Sequence, residues 1–193
     1  MQHPTLSRRR MMAASAATLG ASSLLAQDLS STSPASRDPF DPLAGEAPLS
    51  PGTDYDAVHT PNGTALPFRV VDGVKVFHLV AQEFEHEFLP GLVAKVWGYN
   101  GRTPGPTIEC VQGDRVRIYV TNELPAPTSV HWHGLILPCG MDGVSGLSQP
   151  AIPPGETWVY EFTVRQHGTF MYHSHHDEMI QIALGMVGSL VIH

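Results

Sequence analysis

The stretch Thr107-Ile108-Glu109-Cys110-Val111-Gln112-Gly113-Asp114-Arg115-Val116-Arg117-Ile118-Tyr119-Val120-Thr121 reads as strand, turn, strand. In its second half Val116, Ile118 and Val120 share one face of an extended chain, while Arg115, Arg117 and Tyr119 share the other. Gly113-Asp114 supplies the turn between the two runs. A period of two with one apolar face predicts a sheet packed on a core, and the same signature recurs outward in both directions. Upstream lie Arg69-Val70-Val71 and the runs 74–81 and 91–97, punctuated by Asp72-Gly73 and Pro90-Gly91. Downstream lie 130–137, 157–164, 169–173 and 187–192, with a Gly/Pro-rich loop over 138–156. Helical character is confined to a short stretch near 177–184. About eight strands with no strand–helix alternation predict an all-β antiparallel sandwich or Greek-key barrel.

Composition narrows the function classes. The chain has 193 residues, 42% hydrophobic and 15% charged, which suits a folded domain and not a disordered polyelectrolyte. Lys and Arg total 11 against 18 Asp and Glu, a formal charge of −7, so a nucleic-acid-binding surface is excluded as a general role. No uninterrupted apolar run reaches the ~18–20 residues that span a bilayer, and no transmembrane anchor is expected. Two cysteines, Cys110 and Cys139, exclude a disulfide-dense scaffold and any four-thiolate site. An oxidising compartment would permit the two to pair. Eleven histidines are many for this length, and their positions carry the functional argument.

Residues 1–26 read as an address. Ser7-Arg8-Arg9-Arg10-Met11-Met12 precedes a run of small and apolar residues ending at Ala26, followed by polar Gln27-Asp28. The arginine pattern resembles a twin-arginine export signal, which places the protein in the periplasm or otherwise outside the cytoplasm. Cleavage after Ala26 removes three arginines and no acid, which leaves 8 basic against 18 acidic residues and a formal charge of −10. Residues 27–67 are rich in Ser, Thr, Pro, Asp and Gly and show no periodicity, so they read as a low-order leader. The β domain is expected over 68–193.

Two His-x-His pairs hold the chemistry: His131-Trp132-His133 and His173-Ser174-His175. On a strand, residues i and i+2 point the same way, so each pair presents two imidazoles side by side. Neutral imidazole is the commonest transition-metal ligand and suits copper, zinc, iron or nickel. Two such pairs at strand ends in one small domain predict a metal site. The run His173-Ser174-His175-His176-Asp177 approaches the His-x-His-x-Asp-His pattern of binuclear hydrolases, but Glu178 follows where that pattern needs histidine. A mononuclear zinc site with three of these histidines and a bound water is the other reading from residue types alone. His59, His78, His86 and His167 stand singly and read as surface or hydrogen-bonded residues. Asp142 and Glu178 are acidic neighbours of the pairs, read chiefly as solvated loop charges, with assistance in proton delivery as the lesser reading.

Gly101-Arg102-Thr103-Pro104-Gly105-Pro106-Thr107-Ile108, Val130-His131-Trp132-His133-Gly134-Leu135, Ile152-Pro153-Pro154-Gly155-Glu156 and Gly168-Thr169-Phe170-Met171-Tyr172-His173-Ser174-His175 occur in that order. Together they resemble the N-terminal cupredoxin-like (plastocyanin-like) domain of multicopper oxidases of the laccase and copper-resistance type. The resemblance implies that His131, His133, His173 and His175 are copper ligands. His131 would serve a type 2 ion, and His133 with one of the second pair a type 3 ion. The remaining histidine would serve the other type 3 ion. The implied reaction reduces O2 to water with electrons taken singly from an electron-donor substrate at a distant type 1 copper.

This sequence departs from the family pattern in one respect. The later motifs His-x-x-His-x-His and His-Cys-His-x-x-x-His-x-x-x-x-Met do not occur in these 193 residues, so no type 1 site is expected within them. The last strand ends at the chain's final residues. The expectation is half a trinuclear site, inactive alone and completed by a missing C-terminal cupredoxin domain or by a second subunit. A free-standing copper-sequestering module is the alternative.

Overall fold

The computed structural model describes residues 55–193, so the signal sequence and the greater part of the leader lie outside the described residues. β1 (Phe68–Val71) and β2 (Val74–Leu89) form a hairpin, and β3 (Leu92–Tyr99) folds back on the distal half of β2. β4 (Gly105–Cys110), β5 (Arg115–Asn122) and β6 (Val130–His133) follow. After a long loop come β7 (Thr157–Thr163), β8 (Gly168–Ser174) and β9 (Val187–Ile192). α1 (Glu178–Gln181) is a single turn between β8 and β9. Among the described residues no helix is long and apolar enough to cross a membrane.

Two sheets result. One runs β1-β2-β5-β7 with β3 also on β2, and the other runs β4-β9-β8-β6. The β5 alternation holds as expected: Val116, Ile118 and Val120 are buried, and Arg115, Arg117 and Tyr119 are not. Phe77, Leu79, Ile118, Tyr160 and Phe162 of the first sheet share one core with Ile108, Val130, Trp132, Tyr172 and Leu190 of the second. Burying a side chain of this size contributes about 1.5–3 kcal/mol over leaving it exposed. The sandwich is therefore held between the sheets, and the loops at its ends are free to carry a site.

The structure differs from the sequence reading in four places. Pairing is mixed and not antiparallel throughout, because β2 lies parallel to β5 and β4 parallel to β9. The chain leaves the first sheet after β3, contributes β4 to the second and returns as β5, and such a crossover permits a parallel neighbour. β2 continues beyond the run 74–81 through Glu83–Phe88 to Leu89, as a ribbon paired there, among the described residues, with β3 alone. β6 stops at His133, short of residue 137. The segment 55–67, at the end of the expected leader, runs along β4. Leu66 is buried, its N–H donates to Thr107 O at 2.7 Å, and Val58 N donates to Glu109 Oε2 at 3.0 Å.

Candidate metal centre

β6 and β8 are antiparallel neighbours whose register sets His131 opposite His173, Trp132 opposite Tyr172 and His133 opposite Met171. Trp132, Tyr172 and Ser174 are fully buried on the core side, so the alternation turns the histidines to the other face. The His131 ring centroid lies 5.5 Å from that of His133, 5.3 Å from His173 and 5.1 Å from His175. One ligand nitrogen from each of His131, His133 and His173 falls within 4.8 Å of the others. His175, just past the end of β8, brings its ring to 6.0 Å from that of His173. All four histidines singled out from the sequence stand together.

Three of the rings have Nδ1 bonded to an oxygen acceptor. His131 Nδ1–H donates to Asp142 O at 2.6 Å, and His173 Nδ1–H donates to Ser174 O at 2.8 Å. His175 Nδ1 meets Glu178 Oε1 at 2.9 Å. Each bond assigns the proton to Nδ1 and leaves the Nε2 lone pair for a metal. His133 Nδ1 lies 3.1 Å from His173 Nε2, so in the metal-free protein His133 donates and His173 accepts. A metal ion held by His173 Nε2 would take the place of that hydrogen bond, and His133, still neutral, would turn or carry its single proton on the other ring nitrogen to offer a lone pair. Burial holds His173 below the ordinary imidazole value. The Ser174 carbonyl opposes this shift, and His131 and His133 reinforce it. The ring is thus kept in its neutral, ligating form. An all-imidazole set with free Nε2 atoms fits copper, and by donor chemistry alone it fits zinc equally.

The residues that aim the rings were only partly visible beforehand. Asp142 acts through its backbone carbonyl, while its carboxylate stays 3.5 Å from His131 Nδ1 and is 38% exposed. Gly143 permits the contact: with φ +79°, a Cβ there would lie 1.7 Å from Val130 O. Glu178, expected as a solvated charge, is exposed and also meets His175. Gln181 and Thr128 were missed. Both are buried and hydrogen-bonded to Ser174 or to each other behind the second pair. The signal for Gln181 was only a polar residue on the inner side of a one-turn helix, and for Thr128 a polar residue just before β6, which no spacing rule picks out. His176 turns away and meets Ser145 Oγ at 3.0 Å, and His78 pairs with Thr121 Oγ1 at 2.8 Å, remote from the cluster. Cys110 is buried and Cys139 exposed, and both are free thiols.

Comparison with known proteins follows the same lines. A family model described as Multicopper oxidase matches residues 81–193. Copper resistance protein A of Pseudomonas syringae pv. tomato is 52% identical over 93 residues, which cover 48% of this chain and 15% of that protein. Laccase-1 of Cryptococcus neoformans var. grubii is 43% identical over 106 residues, 53% of this chain and 17% of that protein. The crystal structure of a multicopper oxidase from Pseudomonas thermotolerans superposes with TM-score 0.60 at 41% identity, covering 62% of this chain and 29% of that one. A metallo-oxidase from Campylobacter jejuni gives TM-score 0.62 at 29% identity, covering 76% and 31%. The match to these curated relatives spans less than a fifth of their length.

Proposed function

This chain belongs to the multicopper oxidase family, which uses copper, and on that premise we propose that His131, His133, His173 and His175 supply half the ligands of a trinuclear type 2/type 3 copper site. Copper bound there would supply the redox chemistry for reducing O2 to water, coupled to one-electron oxidation of a donor substrate. The protein's own part is orientation. The Asp142 and Ser174 carbonyls and the Glu178 carboxylate point three Nε2 lone pairs outward. Trp132 and Tyr172, both fully buried, back the strand pair so that the rings cannot retreat into the core. The other ligands and the type 1 site would come from a further cupredoxin domain or a second subunit. Oxidase turnover is expected only when these are supplied. The Ser7-Arg8-Arg9-Arg10 signal supports export to the periplasm, and the intact mass of exported protein beginning at Gln27 would check it.

The observation that carries the reading is the convergence of three ligand nitrogens within 4.8 Å, with their partner nitrogens tied to the backbone in His131 and His173. Copper titration of the full chain, followed by electron paramagnetic resonance of the Cu(II) form, tests it. Nitrogen-coordinated copper is expected in the parent and is lost in the His131→Ala/His133→Ala variant. Parental stoichiometry and affinity in that variant would overturn the assignment.

A further inference from the structure

The short helix after the second histidine pair grips the site from behind. Gln181 is 1% exposed, and its side-chain amide is engaged three ways. Oε1 accepts from the hydroxyls of Ser174 at 2.6 Å and Thr128 at 2.8 Å, and Nε2 donates to Pro127 O at 2.8 Å. Backbone bonds repeat the link: Met186 N donates to Gln181 O at 3.0 Å, and Ser174 N donates to Met186 O at 3.2 Å. Ser174 stands between the two histidines, and its carbonyl is the group that receives His173 Nδ1–H.

We propose that Gln181 is a positioning residue for His173, acting through Ser174. The Ser174 hydroxyl has one hydrogen and three acceptors in reach, Gln181 Oε1 at 2.6 Å, His176 O at 3.2 Å and Thr128 Oγ1 at 3.4 Å. The shortest bond holds the side chain toward α1, and the Ser174 N–H is tied to Met186 O before its Cα. The peptide whose carbonyl orients His173 is tied after it, by His175 N donating to Ser129 O at 3.2 Å, next to the Thr128 hydroxyl that Gln181 also holds. Without the amide, the buried Thr128 hydroxyl keeps only Ser129 O at 3.5 Å and Ser174 Oγ at 3.4 Å, and the Ser174 hydroxyl turns to His176 O. A buried network that loses its hub rearranges, because unpaired hydroxyls away from water are costly. Groups that orient a ligating imidazole in this way act on the metal without touching it.

The test uses the full chain with Gln181→Leu, which nearly keeps the volume, and Ile180→Ala, a 52% exposed position in the same turn, as control. The first readout is the nitrogen–proton correlation spectrum of the imidazoles in metal-free protein. His173 should appear as a fixed Nδ1–H tautomer in the parent and in Ile180→Ala. Its signals should shift and broaden in Gln181→Leu, while those of His131, held by Asp142 O, stay put. Thr128→Val, which removes one of the two hydroxyls on the amide, should move His173 in the same direction by less, and it decides the matter if Gln181→Leu does not fold. Unchanged His173 signals in a folded variant overturn the proposal, even where stability falls, because a merely structural residue would do only that. The second readout rests on the copper reading above: copper affinity should fall about 10–100-fold in Gln181→Leu. If the parent shows no histidine-dependent copper binding, the copper reading fails, and the His173 signals still decide the role of Gln181.

Discussion

Replacing Gly143 by alanine should damage the metal centre without altering any imidazole. Gly143 sits at φ +79°, and an added Cβ would lie 1.7 Å from Val130 O, 2.5 Å from Val130 C and 3.0 Å from His131 Cα. All three atoms belong to the β6 backbone, which is held in the sheet by β8 and cannot swing aside as a flexible side chain would. The loop must therefore withdraw by roughly 1.5–2 Å to reach ordinary van der Waals contact. That displacement carries the neighbouring Asp142 carbonyl out of hydrogen-bond range of His131 Nδ1, now 2.6 Å away. Left-handed backbone costs an alanine about 1–2 kcal/mol, and the lost hydrogen bond adds about 0.5–1.5 kcal/mol. Gly146 is the internal control: its φ is +80°, yet nothing lies within 4 Å of its hypothetical Cβ. Gly146→Ala should show the backbone penalty alone, with copper affinity intact. Gly143→Ala should lose about 2–3 kcal/mol and, with His131 unheld, about 10–100-fold in copper affinity. Denaturant unfolding and copper titration of both variants measure the difference. Equal losses in the two, or parental copper affinity in Gly143→Ala, would refute the steric argument.

Three further outcomes follow from the rest of the molecule. Burial pushes the Cys110 thiol up to about 12, whereas Cys139 is exposed. Iodoacetamide at pH 8 should therefore add one group to the native chain and two after denaturation, and two native adducts would contradict the packing. Lys75 is 1% exposed, with Nζ 3.0 Å from Glu109 O and 3.4 Å from Asp114 Oδ2. Lys75→Met should cost about 3–5 kcal/mol by stranding a buried carboxylate, and adding Asp114→Asn should recover part of it; a loss under about 1 kcal/mol would show the pair to be unimportant. Desolvation acts to raise the Glu161 carboxyl, but hydrogen bonds and charge from Arg117 and Arg115 outweigh it and hold the group below its ordinary value of 4.5. The unfolded chain then binds the extra proton, so this contribution is present above pH 4.5 and is lost as pH falls through the folded value. The stability gap between the parent and Glu161→Gln should close on acidification in denaturant unfolding, and a gap that widens would reverse the sign.

Strands that bury one face announced themselves. β5 and β9 were legible to within a residue because Val116, Ile118 and Val120, and then Gly188, Leu190 and Ile192, alternate against less buried neighbours. Glu83-Phe84-Glu85-His86-Glu87-Phe88 was harder to read, because the ribbon it forms with β3 lies on no core. Its inner face, Phe84 and His86, is only half-buried and Phe88 is 51% exposed, so the alternation marks a weakly covered, solvated strand. The parallel pairs were not legible at all. Alternation records which face is buried, and it says nothing of which strand lies alongside or in which direction.

The same division runs through the site. The proposed ligand pairs are side chains at a spacing that geometry constrains, so His131, His133, His173 and His175 could be picked out one by one. The groups that aim them are mostly not side chains. His131 is held by a carbonyl, which every residue at position 142 possesses, and the informative residue is its neighbour Gly143, present because nothing larger clears Val130. His173 is held by the carbonyl of Ser174, and the residue that steadies that peptide lies seven positions on, in another element. Glu178 is the exception, an exposed side chain three residues from the histidine it meets, and that contact went unread because no strand rule extends past Ser174 into the turn. A sequence therefore names the atoms that would bind the metal more readily than the atoms that decide how tightly it is held. The second set is where variants of this domain should differ most in copper affinity while keeping every histidine.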